Sequence, residues 1–137
     1  MTEHKEIFVF GSNREGRHGG GAAKYAVEHH GAVYGQPHGL QGASYAIVTK
    51  ELRRDKAPVT LDEIELNVGR FIRFAEGHPS WVFKVTAIGT GLAGFTHEEI
   101  APLFKRSPNN CHLPAEWREI LEAIWEREEE EKKGSIQ

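Results

Sequence analysis

Residues 7–30 read IFVFGSNREGRHGGGAAKYAVEHH, and their order decides the class of fold. Ile7-Phe8-Val9-Phe10 is an apolar run with no polar position, the pattern of a strand covered on both faces. Gly11 and Ser12 bound it, and a loop dense in glycine follows: Gly16, Gly19, Gly20, Gly21. From Ala22 to His30, the residues Ala22, Ala23, Ala26 and Val27 share one helical face. Their small side chains would let that helix lie close against a sheet.

The same design returns further along the chain. Tyr45-Ala46-Ile47-Val48-Thr49 reads as a second strand, after an irregular connection punctuated by Gly31, Gly35, Gly39 and Gly42. Thr60 with Glu63 is a capping box that opens a helix to about Glu76. Its apolar residues Leu61, Ile64, Val68, Phe71, Ile72 and Ala75 fall on one face, and Gly77 and Pro79 end it. Trp81 to Ile88 is a third strand, followed by a second glycine loop with Gly89, Gly91 and Gly94. Thr96 and Glu99 form another capping box, so a helix starts directly after that loop. Pro108-Asn109-Asn110 breaks it, and Cys111-His112-Leu113 reads as a short fourth strand. Pro114 suits the first turn of a last helix, with Trp117, Ile120, Leu121 and Ile124 inward and all three tryptophans in core contexts.

Strands that alternate with helices predict an α/β fold: a three-layer α/β/α sandwich on a mainly parallel, mixed sheet. One domain is expected over residues 1–137, with 126–137 as a charged, frayed tail.

Composition narrows the function classes. Lys plus Arg number 17 against 20 Asp plus Glu, a formal charge of −3. Mild net acidity argues against a sequence-independent grip on nucleic acid, which needs a basic stripe. No apolar run approaches the ~18 residues of a membrane span. Met1 to Glu6 mixes polar, acidic and basic residues and reads as neither a signal nor a transit peptide, so the cytoplasm is expected. Cys111 is the one cysteine, which excludes an internal disulfide and a cysteine-built zinc site. With no base beside it in sequence, it reads as a small core residue. His29 and His30 are adjacent on a helix and face different ways, so no metal site and no cofactor is expected.

The chemistry sits in the two glycine loops. Ligands of open α/β sheets bind beyond the carboxyl ends of the strands. A helix start there offers free N–H groups and the positive end of the helix dipole, and glycine lets backbone close on phosphate oxygens. Two such loops suggest a diphosphate held from both sides, provided their strands are neighbours; otherwise the glycines serve tight turns. Gly89-Thr90-Gly91-Leu92-Ala93-Gly94 also spells GxGxxG, but no acidic strand end follows about 20 residues on, as a dinucleotide fingerprint requires. The GxxxxGK[ST] phosphate loop is absent, which argues against a nucleoside triphosphatase.

Three segments resemble macrodomains. Phe10-Gly11-Ser12-Asn13 with Gly16-Arg17-His18-Gly19-Gly20-Gly21-Ala22-Ala23 is similar to their first ligand loop. Ile88-Gly89-Thr90-Gly91-Leu92-Ala93-Gly94 is similar to the second, which wraps the diphosphate and ribose of ADP-ribose. Tyr45 to Lys50 resembles the strand ending in Thr-Lys of the terminal ADP-ribose glycohydrolases and the antitoxins that remove ADP-ribose from DNA. The chain also resembles short uncharacterised phage and bacterial proteins, which for a phage gene would mean the host cytoplasm.

The resemblance implies binding of ADP-ribose or a related NAD-derived nucleotide, free or carried on an ADP-ribosylated macromolecule. It places the ligand against Asn13, His18, Gly19, Gly20, Gly21 and Ala22 of the first loop, and against Gly89, Thr90, Gly91, Leu92, Ala93, Gly94 and Phe95 of the second. Lys50 stands where that branch has a lysine that attacks the anomeric carbon. The branch's assisting aspartate is missing, with Ala93 in its place. A glycohydrolase acting through Lys50 is thus one alternative to a binding module. A structural or interaction protein without a nucleotide is another. Residue by residue, Asn13 orients a ribose or makes an Asx turn, His18 meets phosphate or solvent, Phe95 stacks on the ligand or joins the core, and Lys50 attacks or simply leaves the strand into water.

Overall fold

A computed structural model describes residues 5–135 of the chain. The elements are β1 (Glu6–Asn13), α1 (Gly21–His29), β2 (Gly39–Gln41), β3 (Ser44–Lys50), α2 (Leu61–Glu76), β4 (Val82–Val85), α3 (His97–Ile100), β5 (Cys111–His112) and α4 (Ala115–Ser135). A 3-10 turn over Ala101–Phe104 continues α3. The strands form one five-stranded mixed sheet in the order β2-β3-β1-β4-β5. β1 runs parallel to both β3 and β4, β4 runs parallel to β5, and only β2 is antiparallel. The fold is α/β, as the sequence predicts.

Neighbouring residues of β1 enter different clusters, because successive side chains of a strand point to opposite faces. Phe10 joins Ala23 and Ala26 of α1, Ala32 and Ala46, with Phe8 packed against them. Ile7 and Val9 join the larger cluster with Ile64, Val68 and Phe71 of α2, Ile100 of α3, Phe104 and Trp117. The all-apolar run 7–10 is explained by this two-sided burial, and the alanines by the close approach of α1. Thr60 caps α2 by accepting from Glu63 N–H at 3.2 Å, and Thr96 makes a full capping box with Glu99.

Several elements differ from the sequence reading. β4 ends at Val85, three residues short of Ile88, because the chain turns at Thr86: its N–H closes the ladder on Val9 O at 3.1 Å, its hydroxyl donates to the same oxygen at 2.8 Å, and its carbonyl accepts Ile88 N–H at 2.7 Å. The helix after Thr96 has four α-helical residues before Pro102, which has no N–H to donate, turns it into the 3-10 turn. Gly39–Gln41, read as irregular, is the edge strand β2, fixed by the buried Gln41 side chain. Its Oε1 accepts Val33 N–H at 2.8 Å and its Nε2 donates to Gln36 O and Gly39 O. Trp117 and Leu121 are fully buried as expected, but Trp125 is 45% exposed and is not core. The charged stretch from Glu126 continues α4 to Ser135, and residues 136–137 lie outside the described part. Among the described residues no helix is long and apolar enough to cross a membrane.

Candidate ligand cleft

Parallel pairing puts the carboxyl ends of β3, β1 and β4 side by side. The chain leaves β1 toward α1 on one face of the sheet, and leaves β3 and β4 toward α2 and α3 on the other. Adjacent strands whose connections part in this way leave a crevice between them. A cleft of about 730 Å³ lies there, lined by Gly11–Asn13, Arg17, Gly19–Ala23, Tyr34, Thr49, Lys50, Leu52 and Thr86–Ala93. Both glycine loops line the same cavity, whose size is that of a small-molecule site.

The first loop is closed by Asn13, whose Nδ2 donates to Arg17 O at 2.8 Å and whose Oδ1 accepts Arg17 N–H at 3.0 Å. Asn13 therefore makes the turn, and it also lines the cleft. Beyond the loop, Gly20 caps α1 with extended backbone and no side chain, and the first turn holds no acid. The N–H groups of Gly21, Ala22 and Ala23 have no partner among the described residues. The other two cleft-side helices have a threonine cap and two acids each in this position. The second loop closes on itself through Gly94 N–H to Gly91 O and Phe95 N–H to Gly89 O. The N–H groups of Gly91, Leu92 and Ala93 are likewise unpaired among the described residues.

The glycines divide into two kinds. Gly89 needs its left-handed backbone, and a Cβ there would press on Ile100 Cδ1 at 3.1 Å. Gly19, Gly20 and Gly91 have ordinary backbone, and a Cβ at any of them meets nothing within 4 Å among the described residues. The fold itself does not require glycine at these three cleft positions.

The charge of the described lining is positive. Arg17 and Lys50 are the charged residues of the lining, and no carboxylate stands among them, in a chain of net charge −3. Arg17 Nε pairs with Glu15 at 3.0 Å, and Glu15 in turn with Arg53 at 3.1 Å. Lys50 Nζ donates to Leu92 O at 2.8 Å, joining the end of β3 to the second loop.

Behind the cleft, Arg53 donates three times to Glu51, twice from its side chain and once from its N–H, and Arg14 adds a fourth bond. These bonds, Arg53's first, hold the Glu51 carboxyl at about 2 against an ordinary 4.5. Between those values the unfolded chain binds the proton and the folded chain does not, so the stabilisation is complete above pH 4.5 and lost as pH falls through 2. Thermal melts of Glu51→Gln should show a shallower fall across that window than the unaltered chain. An identical acid limb would remove Glu51 as its source.

Not every expected site residue is in the cleft. His18 is 2% exposed and lies behind the first loop. Its Nε2 faces Gln36 O at 3.0 Å and Gln41 Oε1 at 3.2 Å. Both are acceptors, so Nε2 carries the proton, and Nδ1 is a buried atom without a partner among the described residues. Phe95 packs against the core, and Gly94 and Phe95 are both outside the lining. Arg17, Tyr34, Thr49 and Leu52 line the cleft unforeseen. Arg17, a cation inside a glycine loop, carried a signal; Tyr34 and Leu52 come from segments with no motif. Cys111 is away from the cleft, its thiol pushed up to about 12 by burial.

No protein-family model, curated protein or solved structure matches this chain.

Proposed function

We propose that this chain binds ADP-ribose or a closely related NAD-derived nucleotide, with the diphosphate between the unpaired amides of the two glycine loops. The observation that carries the reading is the trio Gly19, Gly20 and Gly91. Among the described residues nothing occupies the space a side chain would take at these positions, and all three border one cleft whose described lining is free of carboxylates. A guest that must come within hydrogen-bonding distance of backbone explains their lack of a Cβ. Arg17, 64% exposed in its side chain, turns from Glu15 to the anion. Asn13 has one N–H and further acceptor capacity left for a ribose hydroxyl. Tyr34, Leu52 and Leu92 offer exposed apolar surface at the rim for the rest of the nucleotide.

In this reading the two-sided packing of the sheet is the three-layer α/β/α sandwich of a macrodomain, and the chain serves as a reader or sink for a nucleotide signal in the cytoplasm. Hydrolysis through Lys50 is the second reading, favoured by that residue's place on the cleft wall. It is the weaker one, because the lining supplies no acid to assist.

Isothermal titration with ADP-ribose should give micromolar affinity that weakens as salt rises. Arg17→Ala should weaken it about tenfold, the equivalent of ~1.4 kcal/mol. No heat at millimolar ligand would count decisively against the nucleotide reading.

A further inference from the structure

The crown of the second loop, Thr90 to Gly94, is bonded almost wholly to its own stem. Thr90 N–H and hydroxyl both go to Ala87 O, and Gly94 N–H goes to Gly91 O. Leu92 is 87% exposed, and the Cβ positions of Gly91 and Gly94 face open space, so packing does not hold the crown either. Among the described residues, one hydrogen bond ties the crown to another part of the chain: Lys50 Nζ to Leu92 O at 2.8 Å. Lys50 itself is well anchored, since its carbonyl accepts Arg14 N–H at 3.1 Å and its Cα pairs with Asn13 across the β1–β3 ladder.

We propose that Lys50 is the positioning residue of the second loop, a tether that fixes the direction of its amides before the ligand arrives. The Leu92–Ala93 peptide is trans. Its carbonyl and its N–H therefore point in opposite directions, so holding Leu92 O sets where Ala93 N–H points. The ammonium also polarises that peptide and makes its N–H a better donor. A donor fixed in advance does not have to be ordered when the anion binds, which is where the gain in affinity comes from. The contribution to affinity rests on the nucleotide reading above; the tether itself does not. Lys50 acts here as a donor, with its proton kept and no bond made to a sugar.

The test uses the full chain, 15N-labelled and free of ligand, as the unaltered protein, Lys50→Ala and Lys50→Arg. Lys50→Ala should melt within about 2 °C of the unaltered chain, a surface-scale effect. Its Leu92 and Ala93 amides should fall from rigid order parameters near ~0.85 to below ~0.6. Its ADP-ribose affinity should drop about tenfold, and Lys50→Arg, which keeps a charged donor, should restore both readouts. Unchanged amide motion in Lys50→Ala overturns the tether. Loosened motion with unchanged affinity upholds the tether and overturns its contribution to binding. A borohydride-trapped ADP-ribose adduct on Lys50 overturns it in favour of the covalent route. If the unaltered chain takes up no ADP-ribose, the nucleotide reading fails, and the ligand-free order parameters alone decide the tether.

Discussion

Gly20→Asp should make the protein more stable and, on the nucleotide reading, unable to bind ADP-ribose. Gly20 has the extended backbone of a helix cap but no side chain to cap with, and a Cβ there meets nothing. An aspartate would accept from the unpaired N–H groups of the first turn and complement the helix dipole. Those two effects sum to at most about 1 kcal/mol, or roughly 3 °C in melting temperature. The same carboxylate would occupy the amides assigned to the diphosphate and repel it. Like charges about 4 Å apart near a surface cost up to about 4 kcal/mol, so affinity should fall by as much as about 1,000-fold. Melting and titration of one sample read both effects. Should Gly20→Asp bind ADP-ribose like the unaltered chain, the start of α1 has no part in the site.

Gly16→Ala, four residues earlier in the same loop, should do the opposite and damage the fold itself. Gly16 has φ +68°, and a Cβ there would sit 2.6 Å from Gly35 C and 2.8 Å from Gln36 N, both backbone atoms that cannot swing away. Gly35 N–H also donates to Gly16 O at 2.7 Å, so displacing the loop breaks that bond. A left-handed backbone costs an L side chain about 1–2 kcal/mol and overpacking a further 1–3, so roughly 3 kcal/mol of stability should be lost. Urea unfolding should show a lower midpoint at unchanged slope. A midpoint equal to that of the unaltered chain would mean that the 33–36 segment yields to the added methyl.

These two glycines show where sequence reading stops. As letters, Gly16 and Gly20 are the same. At one a distant backbone segment leaves no room for a side chain; at the other the described fold has room for one. The strong local signals were legible: the apolar run of β1, the caps Thr60 and Thr96, and the buried stripe Ile64, Val68, Phe71 and Ala75 of α2. β2 was not, because its place depends on Gln41 bonding to Val33, Gln36 and Gly39 in folded space. In the candidate cleft, the two glycine loops were legible and the cations of the lining, Arg17 and Lys50, only partly so. His18 and Phe95 look like ligand residues when counted along the chain, yet their backbones direct them behind the cleft and into the core.

Within one turn or one strand, the sequence by itself determined this protein: hydrophobic period, cap chemistry and loop composition act over a few residues and need no partner. The order β2-β3-β1-β4-β5 was decided only by the tertiary structure, and with it the meeting of two loops some 70 residues apart at the ends of the adjacent strands β1 and β4. That order follows from which faces of the sheet the helices cover, a packing choice summed over the whole core. Short-range signals in the chain do not carry that sum.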